Sequence, residues 1–289
     1  MLLVYLQGKL KNLKYSMDFT LARYNKFIKQ FLDFRYIFET FQKFYSSQDQ
    51  LIILRHDVDL KPQNSLATAI IENKLGIQGT YYFRMVPESF NVHIIKQIAD
   101  LGHEIGYHYE TMDTASVKLK VKSEKLNERR EKELIDVAYN QFCENLERFR
   151  EIYPVKTICM HGSPKSAFDN RDIWKKYDYR QLGIIGEPYF DIDFDKFFYL
   201  TDTGRCWNGY KYSVRDKMPQ QEQWIKQGLV FRTTNDIIKA TKENKLPNQI
   251  MITVHPQRWT NNYFEWTKEL LFQRAKNMVK WGLINLNHK

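Results

Sequence analysis

Two aspartates directly follow an apolar run in the first quarter of the chain. Residues 51–54 are apolar, and Asp57 and Asp59 lie just beyond them, two positions apart. Alternate residues of an extended chain point to the same side, so both carboxylates face the same way. Two like charges at the end of a buried strand cost free energy unless a cation compensates them. This stretch therefore predicts one wall of a metal-dependent active site.

Several other ligand or acid–base side chains follow later apolar runs in the same way. The carboxyl ends of parallel strands meet on one edge of a sheet, where barrels and open α/β sheets build their active sites. We therefore expect one site that draws on several strands. Its further candidate members are His108 and Glu110 after the third predicted strand, His161 after the fourth, Asp202 and Arg205 after the sixth, and His255 and Arg258 after the last.

Some nearby polar residues have plainer interpretations. His56 alternates with the aspartates and points away from them, and His103 lies at the start of its strand, so both are predicted to be structural. Asp202 suits a turn, or an ion pair with Arg205, as well as a substrate contact. The three cysteines show no CxxC spacing, which indicates neither a zinc ribbon nor a disulfide framework, and Cys206 is interpreted as a structural thiol.

Alternating strand and helix patterns predict the elements that position these residues. About seven strand–helix repeats predict an α/β fold with a mostly parallel sheet, closed or nearly closed into a (β/α) barrel, with a doubly wound open sheet as the alternative. Apolar residues at helical spacing over 18–45 predict an N-terminal helical extension, residues 1–48, packed on a barrel formed by residues 49–289. The predicted strands are 51–58, 79–84, 103–109, 155–160, 182–185, 197–200, 228–232 and 249–254.

Composition excludes several classes of protein. Of the 289 residues 43% are hydrophobic, enough for a sizeable core, and no apolar run reaches the roughly 18 residues of a membrane span. The net charge is +10, but much of the basic excess lies around 118–150 interleaved with glutamate, which is typical of an exposed helix face. We therefore expect no nucleic-acid partner, while an attraction for phosphorylated ligands remains open. The first residues do not resemble a secretory signal, so we expect a cytoplasmic protein.

The order of these motifs resembles that of the polysaccharide deacetylases, the NodB-homology group or carbohydrate esterase family 4. The resemblance rests on HDVD at 56–59, on the more specific run GHEIGYH at 102–108, and on a late strand that ends in His255. It covers about residues 50–257. It implies a distorted (β/α)7 barrel, a divalent metal ion with zinc favoured, and hydrolysis of N-acetyl groups on sugars.

The resemblance also implies a role for each matching residue. The first aspartate of the family motif is the general base and the second binds metal, which implies these roles for Asp57 and Asp59. The last histidine of the second motif is a metal ligand, which implies His108. The late-strand histidine assists the leaving group, which implies His255.

One ligand position departs from the family pattern. The second metal histidine of the family falls on Met112, and a thioether is a poor ligand for such an ion. Glu110 and His161 are the alternatives, since both have ligand chemistry suited to zinc. His161 is favoured, because it would restore an Asp-His-His set.

The proposed substrate contacts lie near the same strand ends. Tyr107 and Trp207 are candidates for stacking on a sugar ring, Arg205 or Arg258 for holding a phosphate or carboxylate, and Asp202 for a polar contact. The sequence thus predicts a hydrolase that removes an acetyl or similar acyl group from an N-acylated, nucleotide- or lipid-linked sugar in surface polysaccharide biosynthesis. The alternatives are a non-catalytic sugar-binding relative and a hydrolase of another C–N bond. No oligomeric state is predicted.

Overall fold

A parallel sheet forms the centre of the molecule. The structure, a computed structural model, describes residues 17–44, 50–122, 126–163, 166–211 and 218–286, with side chains up to 278. Within these residues the sheet contains β1 (Ile37–Glu39), β2 (Leu51–Val58), β3 (Thr80–Phe83), β4 (Glu104–Tyr109), β5 (Ile158–Met160), β6 (Phe198–Thr201) and β7 (Gln249–Val254).

The order of the strands makes the sheet an open arc rather than a closed barrel. Along the arc the order is β5-β4-β3-β2-β7-β6, and every pair is parallel. The short β1 pairs with the first half of β2, beside β3. Among the described residues no ladder joins β5 to β6. The predicted α/β fold with a mostly parallel sheet is confirmed, in the form of a half-barrel consistent with a distorted (β/α) barrel.

Helices pack around a sheet whose central strands are fully buried. Every residue of β2, β3 and β4 is buried, so each strand needs a layer of packing on either side. The helices are α1 (Leu21–Asp33), α2 (Pro62–Lys74), α3 (Val92–Asp100), α4 (Thr111–Lys118), α5 (Glu128–Arg150), α6 (Pro188–Asp191), α7 (Gln221–Lys226), α8 (Thr234–Lys242) and α9 (Tyr263–Leu286).

Two predicted strands are wrong. Residues 182–185 follow a 3₁₀ turn (Tyr179–Leu182), and Gly183 has a φ of +72°, which an extended strand does not allow. The only pairing here is a single bridge between Thr157 and Gly186. Residues 228–232 begin with a turn at Gly228, whose φ is +76°, and 229–231 have no regular secondary structure. Neither segment adds a strand to the sheet, and among the described residues no ladder joins its two end strands.

The N-terminal helix is part of the core. Thr20 caps α1 by accepting a hydrogen bond from the backbone N–H of Arg23, and Tyr24, Phe27 and Phe31 are fully buried. The segment that follows contributes β1 to the sheet. The predicted domain boundary at 48/49 falls within 45–49, outside the described residues. The division into extension and barrel therefore stays a prediction.

A second polar cluster lies on the face of the sheet opposite the aspartates. His56 Nε2 lies 2.8 Å from Glu72 Oε1, and its ring stacks on Tyr81 at 3.9 Å. His103 Nδ1 accepts a hydrogen bond from the backbone N–H of Gly79. Both histidines are buried and bonded within the fold, as the strand alternation predicts for structural residues.

Candidate functional site

Asp57 is held by an arginine of its own strand. Arg55 and Asp57 point to the same face of β2, where Arg55 Nε donates to Asp57 Oδ1 at 2.8 Å and Nη2 donates to Oδ2 at 2.7 Å. Both side chains are buried. Burial raises the pKa of Asp57, but the charge of Arg55 outweighs it, so the pKa lies below its ordinary value. Asp57 is therefore an oriented carboxylate.

Asp59 lies one step beyond the end of β2 and is bonded through only one oxygen. Its Oδ2 accepts a hydrogen bond from Gln257 Nε2 at 3.0 Å. Its Oδ1 is buried and has no hydrogen-bond partner among the described residues. Burial raises the pKa of Asp59, but His108, His161 and His255 around it hold the pKa well below its ordinary value. A buried, unpaired carboxylate oxygen is costly, and a bound cation would satisfy it.

His108 presents one ring nitrogen to both aspartates. Its Nδ1 lies 2.9 Å from the backbone carbonyl of Cys159, which can only accept, so Nδ1 carries a proton. Its Nε2 lies 3.6 Å from Asp59 Oδ1 and 3.8 Å from Asp57 Oδ2. A backbone partner that fixes the tautomer in this way is typical of metal-binding histidines.

Gly106 makes room for the strand that carries His108. It lies two positions earlier on the same face of β4, and a Cβ there would come within 2.3 Å of the Tyr82 ring. A side chain at this position would collide with the Tyr82 ring, which lies across Gly106 from β3. The glycine therefore makes room for that ring next to the site.

His161 approaches Asp59 from the neighbouring strand. Its Nε2 lies 3.7 Å from Asp59 Oδ1, while its Nδ1 lies 3.1 Å from Glu110 Oε2, out of line for a strict hydrogen bond. Arg84 donates to both oxygens of Glu110 at 2.7–3.1 Å. Although burial raises the pKa of Glu110, its close contact with His161 and its hydrogen bonds to Arg84 bring the pKa to about 2. Glu110 is thus occupied by Arg84 and orients His161.

His255 is held on the other side of Asp59 by Asp202. Asp202 Oδ1 lies 2.6 Å from His255 Nδ1 and also accepts from Arg258 Nη1 at 2.7 Å, while Oδ2 accepts from Trp259 Nε1 at 2.8 Å. Asp202 is fully buried. The Nε2 of His255 is left facing the site, 3.9 Å from Asp59 Oδ2. Asp202 and Arg258 therefore position His255 from behind.

The residues around Asp59 fit a divalent metal ion. Nitrogen and carboxylate ligands of tetrahedral zinc lie about 2.0–2.2 Å from the metal, hence roughly 3.3–3.6 Å from one another. The distances of 3.6 Å and 3.7 Å from Asp59 Oδ1 to the two histidine nitrogens are close to this range. The unpaired oxygen supplies the negative charge that such an ion requires.

Two groups of side chains near Asp59 have ligand atoms that all lie within 4.8 Å of one another. They are Asp57, His108 and Cys159, and Glu110, Asp113 and His161. In each group a carboxylate is already neutralised by a bidentate arginine, Arg55 or Arg84. Asp59, which lies between the two groups and has no such cation, is therefore the better centre for a metal.

Met112 does not reach the site. It is buried on α4 within the apolar core beside α5, and its backbone N–H donates to Asn170 Oδ1 at 2.9 Å. The ligand position that the resemblance implied for residue 112 is thus part of the core. The nitrogen that approaches Asp59 comes from His161 instead.

Three predicted substrate contacts are buried and packed against other parts of the fold. Tyr107 alternates with His108 and is buried against α5, where its hydroxyl accepts from Asn145. Trp207 is buried among aromatic rings of α1 and donates to Thr234. Arg205 is packed against Trp266 and donates to its carbonyl oxygen. A substrate contact by any of the three stays a prediction.

Two residues of the site were not singled out from the sequence. Arg55 lies on the same strand face as Asp57, so strand alternation alone would have been enough to predict that the two side chains pair. Glu187 is a buried carboxyl group that accepts backbone N–H bonds from Met160 and Tyr189, and burial raises its pKa to about 7. Its place beside Arg55 and β5 follows from the folding of residues 179–191 into the open side of the sheet, which no local pattern indicates.

Comparison with known proteins finds a similar fold at low identity. No model of a known protein family matches the chain, and no curated protein matches its sequence. Among solved structures, the chain is similar to a CE4 family pseudoenzyme from Bacillus anthracis (12% identity, TM-score 0.40, covering 81% of this chain and 63% of that one). It is likewise similar to a mutant of that protein with restored enzymatic activity (12%, TM-score 0.41, 81% and 65%).

The chain spans about two thirds of the length of these structures. They belong to the family that the sequence motifs resemble.

Proposed function

We propose that the protein is a metal-dependent hydrolase that removes an acetyl or similar acyl group from the nitrogen of an N-acylated sugar. The observation that carries the proposal is the unpaired Oδ1 of Asp59, which faces the Nε2 atoms of His108 and His161. The other nitrogen of His108 is bonded to the carbonyl of Cys159, and the other nitrogen of His161 lies 3.1 Å from Glu110 Oε2. Such an arrangement costs free energy without a cation and is well suited to one.

Asp59, His108 and His161 would hold the metal, with zinc the best match to one carboxylate and two imidazoles. A bound zinc ion would lower the pKa of its water from about 16 to about 7 and polarise the substrate carbonyl. Glu110 supports this set indirectly, because it lies against Nδ1 of His161 and is itself neutralised by Arg84.

Asp57 is the proposed general base. Its oxygens lie on the same side of β2 as Asp59, and Arg55 fixes their orientation through two hydrogen bonds. A carboxylate fixed in this way can accept the proton of an attacking water without first having to reorient. Because Arg55 lowers the pKa of Asp57, the carboxylate stays ionised and ready to accept at neutral pH.

His255 is the proposed acid for the departing amine. The Asp202 carboxylate holds Nδ1, so Nε2 is the atom that points into the site and can give up a proton. The same contact fixes the orientation of the ring, so that Nε2 faces the position of the leaving nitrogen. Asp202 and Arg258 are thus proposed as positioning residues, and not as substrate contacts.

A phosphorylated sugar carrier suits the charge of the protein. The net charge of +10 favours the approach of an anionic substrate, such as a nucleotide- or lipid-linked N-acetyl sugar of surface polysaccharide synthesis. The cytoplasmic location expected from the sequence stays a prediction.

Metal content and acetate release test the proposal together. Purified protein, dialysed against zinc, should carry about one metal ion per chain and release acetate from UDP-N-acetylhexosamines or N-acetylglucosamine oligomers. Asp59→Asn should lose both the metal and the activity. Asp136→Asn, which changes an exposed carboxylate paired with Lys176, should keep both. Unchanged metal content in Asp59→Asn would contradict the assignment.

A second candidate is a sugar-binding protein without hydrolytic activity. The observation in its favour is the same Arg55–Asp57 pair, because a carboxylate with a lowered pKa is a weaker base. This candidate predicts stoichiometric metal and measurable binding of N-acetyl sugars by calorimetry, with no acetate released from any substrate in the panel.

A further inference from the structure

An apolar stripe runs along the outward face of the C-terminal helix α9. Phe264, Leu271 and Met278 are 73%, 61% and 69% exposed, and they follow one another at intervals of seven residues. Residues seven apart lie almost in line on a helix, so the three side chains form one stripe. Phe272 extends it sideways, with 56% of its surface exposed. Single exposed apolar residues are ordinary, whereas an aligned set of large ones indicates a binding surface.

The orientation of α9 is fixed by bonds on its opposite face. Trp266 Nε1 donates to the backbone carbonyl of Asp18 at 2.7 Å, and the carbonyl of Trp266 accepts from Arg205 at 3.0 Å. Further along, Asn277 donates to the carbonyl of Gly204 at 2.9 Å. These bonds hold the polar side of the helix against the body of the protein. The apolar stripe is thus turned outward by specific contacts.

The exposed charges that flank the stripe are all basic. Within residues 263–278, Lys268, Arg274 and Lys276 are exposed, whereas Glu265 and Glu269 lie half-buried toward the body. Glu265 is also paired with Lys61, in the loop that follows Asp59. A second copy of this chain would bring like charges together across such a face. The charge pattern therefore favours an anionic partner.

We propose that this face of α9 binds the surface of an anionic membrane, with the stripe in the boundary between headgroups and acyl chains. A helix with aligned phenylalanine and leucine side chains and basic residues beside them has the composition of an interfacial helix. The basic side chains would reach the acidic headgroups. Among the described residues no helix is long and apolar enough to cross a membrane. The proposal does not depend on the catalytic assignment.

Vesicle sedimentation tests the proposal with the full chain. Wild-type protein should co-sediment with vesicles of phosphatidylcholine and phosphatidylglycerol, and binding should weaken in high salt and with phosphatidylcholine alone. The triple substitution Phe264→Ser, Leu271→Ser and Met278→Ser should weaken binding at least about tenfold. A charge-reversal variant, Lys268→Glu with Lys276→Glu, should do the same without altering the stripe.

A matched control is available on another helix. Val117 on α4 is 78% exposed, and Val117→Ser should leave vesicle binding unchanged. Circular dichroism and thermal unfolding show that each variant is folded. Failure of wild type to bind anionic vesicles, or equal binding by the triple variant, would overturn the proposal. A stable wild-type dimer that does not bind vesicles would also overturn it, if the triple substitution dissociates that dimer. The stripe would then join two copies of the chain.

Discussion

Arg55, two positions before Asp57 on the same strand, donates hydrogen bonds to both of its carboxylate oxygens. The pair is buried at the carboxyl end of β2, and Arg55 also lies 5.0 Å from the centre of the Tyr189 ring. In this arrangement a single strand supplies both the proposed base and the cation that orients it. Arg55 lowers the pKa of Asp57, which makes the carboxylate a weaker base but keeps it ionised and fixed in orientation.

Arg55→Gln should shift the pH dependence of acetate release. Without the guanidinium the pKa of Asp57 rises, so the base becomes protonated at a higher pH. The acid limb of kcat/KM should therefore move upward by about 1 to 3 pH units. The variant should also lose roughly 3–5 kcal/mol in its free energy of unfolding, because Asp57 is left buried without its partner. Arg130→Gln, in an exposed ion pair with Glu133, should leave both quantities unchanged. An unmoved acid limb would show that Asp57 is not the titrating base.

His161→Ala should weaken metal binding, whereas Met112→Leu should not. His161 Nε2 faces the unpaired oxygen of Asp59, while Met112 is packed in the core on α4. Loss of a ligand is expected to lower zinc affinity by at least about 10-fold, and Glu110→Gln, which alters the group behind His161, should have a smaller effect in the same direction. Competition with a zinc chelator measures all three. Equal affinity in His161→Ala and wild type would exclude His161 as a ligand.

Asp202→Asn should damage both stability and turnover. The amide cannot accept all the hydrogen bonds that Asp202 receives from His255, Arg258 and Trp259. We expect a loss of about 3–5 kcal/mol in the free energy of unfolding. In protein that is still folded, kcat should fall about 100-fold or more, since His255 is no longer held as an acid.

The KM of Asp202→Asn distinguishes positioning from substrate binding. If Asp202 only positions His255, KM should change little while kcat falls. A rise in KM with kcat unchanged would instead make Asp202 a substrate contact. Asp178→Asn, at an exposed cap of a 3₁₀ turn, is the matched control and should leave turnover unchanged.

Glu187 should make stability depend on pH. Its pKa is raised from 4.5 to about 7, so between these values the unfolded chain ionises while the folded protein keeps its proton. The folded state then binds more protons, and stability falls as pH rises through this window, by about 3 kcal/mol in total. In Glu187→Gln the side chain does not titrate, so this pH-dependent change in stability is absent. Urea unfolding at a series of pH values measures the free energy of unfolding of both proteins. Between pH 4.5 and 7, wild type should lose stability relative to Glu187→Gln. The exposed substitution Glu128→Gln should show no such trend, and a parallel pH profile for Glu187→Gln would contradict the raised pKa.

The carboxyl edge of the sheet could be predicted because its evidence is local. Apolar runs followed by Asp57, His108 and His255 indicate strand ends, and parallel strands bring their ends together whatever the detailed shape of the sheet. Strand alternation likewise separated His56 from the aspartates. The same local patterns failed at 182–185 and 228–232, where the backbone turns at Gly183 and Gly228 and no strand ladder forms.

What the sequence by itself determined is the class of fold, the edge that carries the polar residues, and the side of β2 on which Asp57 and Asp59 lie. These follow from residue type and from the period of two along a strand. Only the tertiary structure decided that His161 rather than Met112 approaches Asp59, that Glu110 is taken up by Arg84, and that Asp202 lies behind His255. The physical reason is that these contacts join residues from different strands and loops, and their distances depend on how the whole sheet curves and which side chains fill its open side.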